Sequence, residues 1–214
     1  MANAKSWINT RTGVKFYPLD AKPEDVRIDD IAFALSNLCR YAGHVDFYSV
    51  AEHSVIVARI VDGLGGSLLE RRAALLHDAT EAYLVDLPRP IKHAPELEPY
   101  REAEARLGAV IAQRFGLETI EPPIVRRVDS EMIALEAACL VRNKHADWRM
   151  LAEPSETARE VFRRHMKQHG HRTRGEVVHF DTIGLPPAEA RALFVDEFER
   201  LFVNAPELMY PVPG

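Results

Sequence analysis

Nine histidines are spread along the 214-residue chain, and their neighbours separate them. His77 is followed directly by Asp78, at the end of the apolar run Ala73-Ala74-Leu75-Leu76. Neighbouring side chains on a helix diverge by about 100°. The pair therefore meets one metal ion only at the lip between their directions, with another helix supplying ligands from across a groove. Glu81 is four residues after His77 and on the same face of a continuous helix. A carboxylate there would hold and deprotonate a water on the ion without being a ligand itself. Burying an unpaired polar group costs about 2–7 kcal/mol, so adjacent His, Asp and Glu on an apolar helix face demand something that satisfies them.

His53 lies in the apolar helical stretch Ser49-Val50-Ala51-Glu52-His53-Ser54-Val55. Taken alone it reads as a core histidine bonded to a carbonyl. Asp129, in Arg126-Arg127-Val128-Asp129-Ser130-Glu131, reads alone as an acid stabilising a helix amino end. Taken together, these residues give two imidazoles and two carboxylates on three helices, with room for water. That donor set suits a catalytic ion such as Mn, Fe, Co or Zn. The competing interpretation is that His53 and His77 are structural polar residues of a helical bundle. His44, in a loop before Val45-Asp46-Phe47, reads either as a pocket-lining or as a surface histidine. His93 is the remaining candidate for a second ion, and no further His/Asp pair matches the first, so the centre is expected to be mononuclear. From Arg163 to Arg174 the chain carries five basic residues, three histidines and no acid. It reads as a solvated helix end, with a phosphate-attracting rim or an oligomer contact as the sharper alternative.

The elements that must position these residues are helical. Residues 1–28 are irregular, with a short strand allowed around Val14–Tyr17. Asp29-Asp30 lead into a first helix that carries Ile31, Ala32, Leu35 and Leu38 at helical spacing, and Gly43 ends it or lies just beyond its end. Ser49 and Glu52 form a capping box for a second helix that stops at Gly63, Gly65 and Gly66. A third runs from Ser67 to about Tyr83, before Leu87-Pro88-Arg89-Pro90 forbids continuation. Further helices are expected over 99–115, 124–145, from Pro154-Ser155 to about Gln168, and over 187–203. The expected architecture is all-α and single-domain, with a short β-hairpin allowed between Thr173 and Thr182. Residues 29–150 form its core, and residues 151–214 a helical extension of the same domain.

An apolar content of 47% in a chain of this length is enough for one substantial core. A net charge of −5 gives no reason to expect a binder of polymeric nucleic acid or of anionic membranes. Cys39 and Cys139 are too few for a zinc knuckle or a disulfide framework, and read as two buried reduced thiols. The amino terminus lacks an apolar signal segment, and no stretch approaches the roughly 18 apolar residues of a membrane span. A cytoplasmic, soluble protein is the expectation.

The order His…His-Asp…Asp resembles the HD-domain metal-dependent phosphohydrolases. The strings Leu38-Cys39-Arg40-Tyr41-Ala42-Gly43-His44, Phe47-Tyr48-Ser49-Val50-Ala51-Glu52-His53-Ser54-Val55 and Leu75-Leu76-His77-Asp78-Ala79-Thr80-Glu81-Ala82-Tyr83, continuing to Asp86-Leu87-Pro88, are similar to a small branch of it. That branch includes bacterial deoxyribonucleoside 5′-nucleotidases and phage dATP/dNTP triphosphohydrolases, and the likeness spans about Trp7 to His145. It implies an HD-domain bundle and one divalent ion (Mn, Co, Fe, Zn or Mg) on His53, His77, Asp78 and Asp129. Asp147 is the alternative to Asp129, which is preferred because it begins a helix after an apolar-basic lead-in. The resemblance also implies Glu81 as the carboxylate that orients the attacking water, and Asp86 near the scissile phosphate and sugar. Arg40 falls to the phosphate, as its forked donors suit; His44 is a substrate-binding candidate from its loop position alone. The implied function is nucleotide phosphohydrolysis, of a deoxynucleoside 5′-monophosphate or a dNTP, by metal-activated water. The alternative is a non-catalytic nucleotide-binding or sensor protein of the same fold. Neither a polymeric nucleic acid nor a membrane is an expected partner, and a homo-oligomer is left open.

Overall fold

In the computed structural model, residues 6–141, 151–169, 172–174, 177–179 and 183–204 are described. A small antiparallel hairpin comes first, β1 (Ile8–Asn9) with β2 (Lys15–Phe16), and Ile8 lies opposite Phe16. Helices follow: α1 (Ile28–Asn37), α2 (Val50–Gly63), α3 (Leu68–Leu76), α4 (Glu81–Leu84), α5 (Arg89–Lys92), α6 (Glu98–Arg114), α7 (Pro123–Leu140) and α8 (Glu156–His169). A second hairpin pairs β3 (Arg172–Arg174) with β4 (Val177–His179), and α9 (Pro187–Phe202) closes the series. The architecture is all-α, as the helical periodicity predicts.

α2 is apolar on almost every side, and a helix of that kind must be surrounded. Helices α1, α3, α7, α8 and α9 pack around it. Ile56 and Ile60 of α2 and Leu75 and Leu76 of α3 are fully buried, each worth about 1.5–3 kcal/mol relative to exposure. The same continuous core takes in Ala158 and Phe162 of α8 and Phe194 and Leu201 of α9. That burial sets a rigid frame around the few charged groups at the centre. No helix among the described residues is long and apolar enough to cross a membrane.

Helix starts follow sequence chemistry closely. Ser67 and Glu70 form a complete capping box at α3. At α2 only half of the expected box forms: Ser49 Oγ accepts from the Glu52 N–H at 3.1 Å. The Glu52 carboxylate instead turns inward. It accepts from His165 Nε2 at 2.8 Å, Leu185 N at 2.6 Å and Gly184 N at 3.3 Å, and so fastens α8 and the segment before α9 to α2. A Cβ at Gly184, whose φ is +116°, would stand 2.1 Å from the Phe47 carbonyl oxygen, so only glycine admits this approach.

Helix ends differ more. The first helix stops at Asn37, and Gly43 instead closes a short turn in which Tyr41, Ala42 and Gly43 all have positive φ. The third stops at Leu76 rather than near Tyr83. The two cysteines are half-buried and in no disulfide among the described residues; Cys139 Sγ lies 4.0 Å from Met166 Sδ, and Cys39 forms a bridge to Ser49 outside any helix. In the basic stretch, Arg163 and Arg164 are exposed, with Arg164 paired to Glu160 one turn back, but His165 is buried against Glu52. The alternative metal residue Asp147 and the end of the expected hairpin at Thr182 lie outside the described residues.

Candidate metal centre

Three helices deliver four ligand-type side chains to one point. His53 lies in the first turn of α2, His77 and Asp78 directly follow α3, and Asp129 lies in the second turn of α7. Asp129 therefore does not begin its helix, which opens at Pro123, and its partly exposed side chain lines the cleft. His53 Nε2 stands 3.3 Å from His77 Nε2, 3.2 Å from Asp129 Oδ1 and 3.6 Å from Asp78 Oδ2. His77 Nε2 is 3.2 Å from Asp78 Oδ2 and 3.9 Å from Asp129 Oδ1. With ligand bonds of about 2.1 Å, adjacent positions around an octahedral ion are about 3.0 Å apart and opposite ones about 4.2 Å. Ligand atoms of His53, His77 and Asp129 all lie within 4.8 Å of one another, so these three could hold a single ion, and Asp78 Oδ2 stands beside both imidazoles.

Proton bookkeeping strengthens that fit. His77 Nδ1 is 2.8 Å from the Ala74 carbonyl oxygen, which can only accept, so Nδ1 carries the hydrogen. His53 Nδ1 is 2.6 Å from Glu136 Oε1 and donates to it. Both Nε2 lone pairs therefore face each other and two carboxylate oxygens. Only a cation, a proton or a metal ion, reconciles four converging acceptors. Without metal a proton takes the place: burial opposes charging His77, but Asp78, and then Asp129, raise its pKa to about 9. Burial pushes Asp78 the other way, yet His77, His53 and Arg40 hold it well below the usual carboxylate range. Burial likewise opposes ionisation of Asp129, and the bond and charge of His53 bring it down to about 2.

Glu81 is buried beside this cluster, and its Oε2 has no hydrogen-bond partner among the described residues. Burial, reinforced by the negative charges of Asp78 and Asp86, raises its pKa well above the ordinary value. It does not reach the site along a continuous helix. The chain breaks after Leu76 into a turn, with Ala79 N bonded to Leu76 O and Glu81 N to Asp78 O, and restarts as the four-residue α4. Asp86 follows that short helix, lines the same cleft and is raised by burial, against the pull of Arg40.

Arg40 brackets the cluster: Nη1 is 3.4 Å from Asp78 Oδ2 and Nη2 is 3.3 Å from Glu136 Oε2. Glu136 is the residue that sequence reasoning missed. Fully buried, it accepts from His53, Arg40 and the Tyr41 hydroxyl, the last at 2.9 Å. Burial opposes its ionisation, but Arg40 and His53 keep its pKa low. A carboxylate that orients an imidazole in this way fixes the tautomer and raises the ring's basicity.

His77, Asp78 and Asp129 of the cluster line a cleft of about 1600 Å³, with His53 fully buried behind them. Arg40, Glu81, Asp86, His44 and His93 all line it, with His44 and His93 exposed towards the mouth. Leu87, Pro88, Pro90 and Ile91 give one wall an apolar character.

The chain is 34% identical over 197 residues to the uncharacterized protein YfdR of Escherichia coli (strain K12), across 92% of this chain and 96% of that protein. It belongs to the YfdR family. A second relative, the uncharacterized protein RCAP_rcc00048 of Rhodobacter capsulatus, is 39% identical over 130 residues, 58% of this chain and 65% of that protein. No family model matches the sequence. Neither relative's name carries an activity, so the function of this YfdR-family chain has to be argued from its own residues.

Proposed function

We propose that this protein is a metal-dependent phosphohydrolase of the HD-domain type acting on nucleotides. The observation that carries the reading is the convergence of His53 Nε2, His77 Nε2, Asp78 Oδ2 and Asp129 Oδ1, three of whose residues, His77, Asp78 and Asp129, line a large cleft. The order and local strings of these residues, which resemble the HD-domain phosphohydrolases, support it. A divalent ion held by the four groups would act as a Lewis acid towards a phosphoryl oxygen and make water a stronger nucleophile.

The chain's own residues supply the rest. Glu81 orients the attacking water and takes its proton at a carboxylate oxygen, a task suited to a carboxyl with a raised pKa. As the water oxygen bonds to phosphorus, the ester bond to the leaving oxygen breaks, and Asp86 holds the sugar or assists that oxygen. Arg40 stabilises charge on the phosphate with the donors left over from Asp78 and Glu136. The cleft exceeds the roughly 300–1,000 Å³ of an ordinary small-molecule pocket, so a whole nucleotide fits. Its Leu87-Pro88-Pro90-Ile91 wall offers an apolar surface to a base.

The test is a product-resolved screen of deoxynucleoside mono-, di- and triphosphates with Mn- or Co-loaded protein. Turnover is expected with wild type and loss of most of it with Glu81→Gln at unchanged metal content. A metal-loaded protein that binds nucleotides but cleaves none would make it a binding protein instead. Absence of stoichiometric metal after loading would refute the centre itself.

A further inference from the structure

Val85, between α4 and Asp86, has φ +69° and ψ 149°. A β-branched residue in that conformation is a genuine outlier, because its Cβ and branched methyls crowd the backbone. Packing does not account for it, since the Val85 side chain is 55% exposed. The backbone around it is held from both sides. Its N–H donates to the Glu81 carbonyl at 2.9 Å. The Tyr100 hydroxyl, reaching across from α6, lies 2.9 Å from the Val85 carbonyl oxygen and 3.2 Å from that of Leu84, and shares its one proton between them. Beyond Asp86, Pro88 has its φ fixed near −53° and restricts Leu87 to extended conformations. Asp86 is thus suspended between two rigid points, and it faces the cleft that also holds Glu81.

We propose that Tyr100 and Val85 are positioning residues: the Tyr100 hydroxyl pins the left-handed Val85 and thereby fixes Asp86 in the cleft. An unstrained Val85 would return to negative φ and swing the next residue out of line with the metal cluster. Strain of this kind persists only where the surroundings over-determine it, and it concentrates at functional sites. Tyr100 is not among the residues that line the cleft, and its hydroxyl bonds to the backbone carbonyls of Leu84 and Val85, so its effect on the cleft passes through the backbone that leads to Asp86. The inference rests on the phosphohydrolase reading for its kinetic consequence, though not for its structural one.

The experiment compares Tyr100→Phe, which removes one oxygen atom, with Val85→Gly, which removes the cause of the strain. In metal-loaded protein, kcat/KM on the nucleotide cleaved fastest by wild type should fall about 10- to 100-fold in Tyr100→Phe, the scale of an ångström-sized misplacement. Metal content should not change. Val85→Gly, which adopts φ +69° without strain, should keep activity close to wild type without a lower unfolding midpoint, and in that background Tyr100→Phe should cost much less than in wild type; an equal cost there would overturn the role of the strain. In an Asp86→Ala background Tyr100→Phe should cost nothing further, and a full, multiplied loss there would overturn the proposal. A crystal structure of Tyr100→Phe should show Val85 at negative φ and Asp86 displaced. An unchanged Val85 and Asp86 would overturn it whatever the kinetics. If wild type cleaves no nucleotide, the phosphohydrolase reading fails by itself, and the crystal structure still decides the role of Tyr100.

Discussion

Glu136 is the only acid between Glu131 and Val141, surrounded by Met132, Leu135 and Ala137, and it stands seven residues after Asp129. Seven residues bring a helix back to within about 20° of its starting direction, so the chain did hold a sign that the two acids share a face. Its partners were beyond reach of such reasoning: His53 and Tyr41 lie 83 and 95 residues away. The histidines and Asp78 were legible because adjacent polar residues in apolar runs have few other uses. Glu136 gives His53 Nδ1 a charged acceptor and leaves Nε2 free. Replacing it by Gln keeps the shape and removes the charge. The metal affinity of Glu136→Gln should drop about 10- to 100-fold in a competition titration against a chelator, the usual range for such supporting carboxylates. An affinity equal to wild type would make Glu136 a partner of Arg40 and Tyr41 only.

Helix starts were easier to read than helix ends. Ser49 and Ser67 cap with their own hydroxyls, a local matter that sequence spacing reports. The break after Leu76 is different. Ala79-Thr80-Glu81-Ala82 has no Gly or Pro to stop a helix; the turn there goes with the full burial of Ala79 in the core and with a local bond from His77 Nδ1 back to the Ala74 carbonyl. Local propensity yields to such contacts routinely. Glu52 shows the same competition at a helix start, where the clasp on His165, Gly184 and Leu185 wins over the reciprocal cap. Removing that carboxylate leaves three buried donors with no acceptor, at about 1–3 kcal/mol each. Glu52→Ala should therefore lose at least about 3 kcal/mol of stability in denaturant unfolding. A loss below about 1 kcal/mol would mean that α8 and α9 are held by apolar packing alone.

One continuous core spans α1 to α9, so events at the centre should register in the stability of the whole chain. A ligand that binds only the folded state at a hundred times its Kd adds about 2.7 kcal/mol. For a chain of this size each kcal/mol moves the midpoint by about 2–4 °C. Saturating Mn or Co should raise the unfolding temperature by about 5–11 °C over chelator-treated protein. The gain depends on pH with a definite sign. In metal-free protein the His77 pKa is raised to about 9 from an ordinary 6.5, so its contribution to stability is complete below about 6.5 and fades as pH rises through 9. The metal competes with that same proton. The metal-induced shift should thus grow from pH 6.5 to 9, and a shift that is flat or shrinks over this range would remove His77 from the ligand set.

Glu52 and His53 are consecutive on α2, and one grips the carboxy-terminal helices while the other faces the acids of α3 and α7. Side-chain tips ride about 6 Å from a helix axis, so a roll of about 20° would carry them about 2 Å, more than any coordination bond tolerates. α2 accordingly acts as a shaft with a lock on one side and a bearing on the other. Whatever loosens the grip at Gly184 and Leu185 also takes His53 out of line with His77 and Asp129, although the two contacts share no atom.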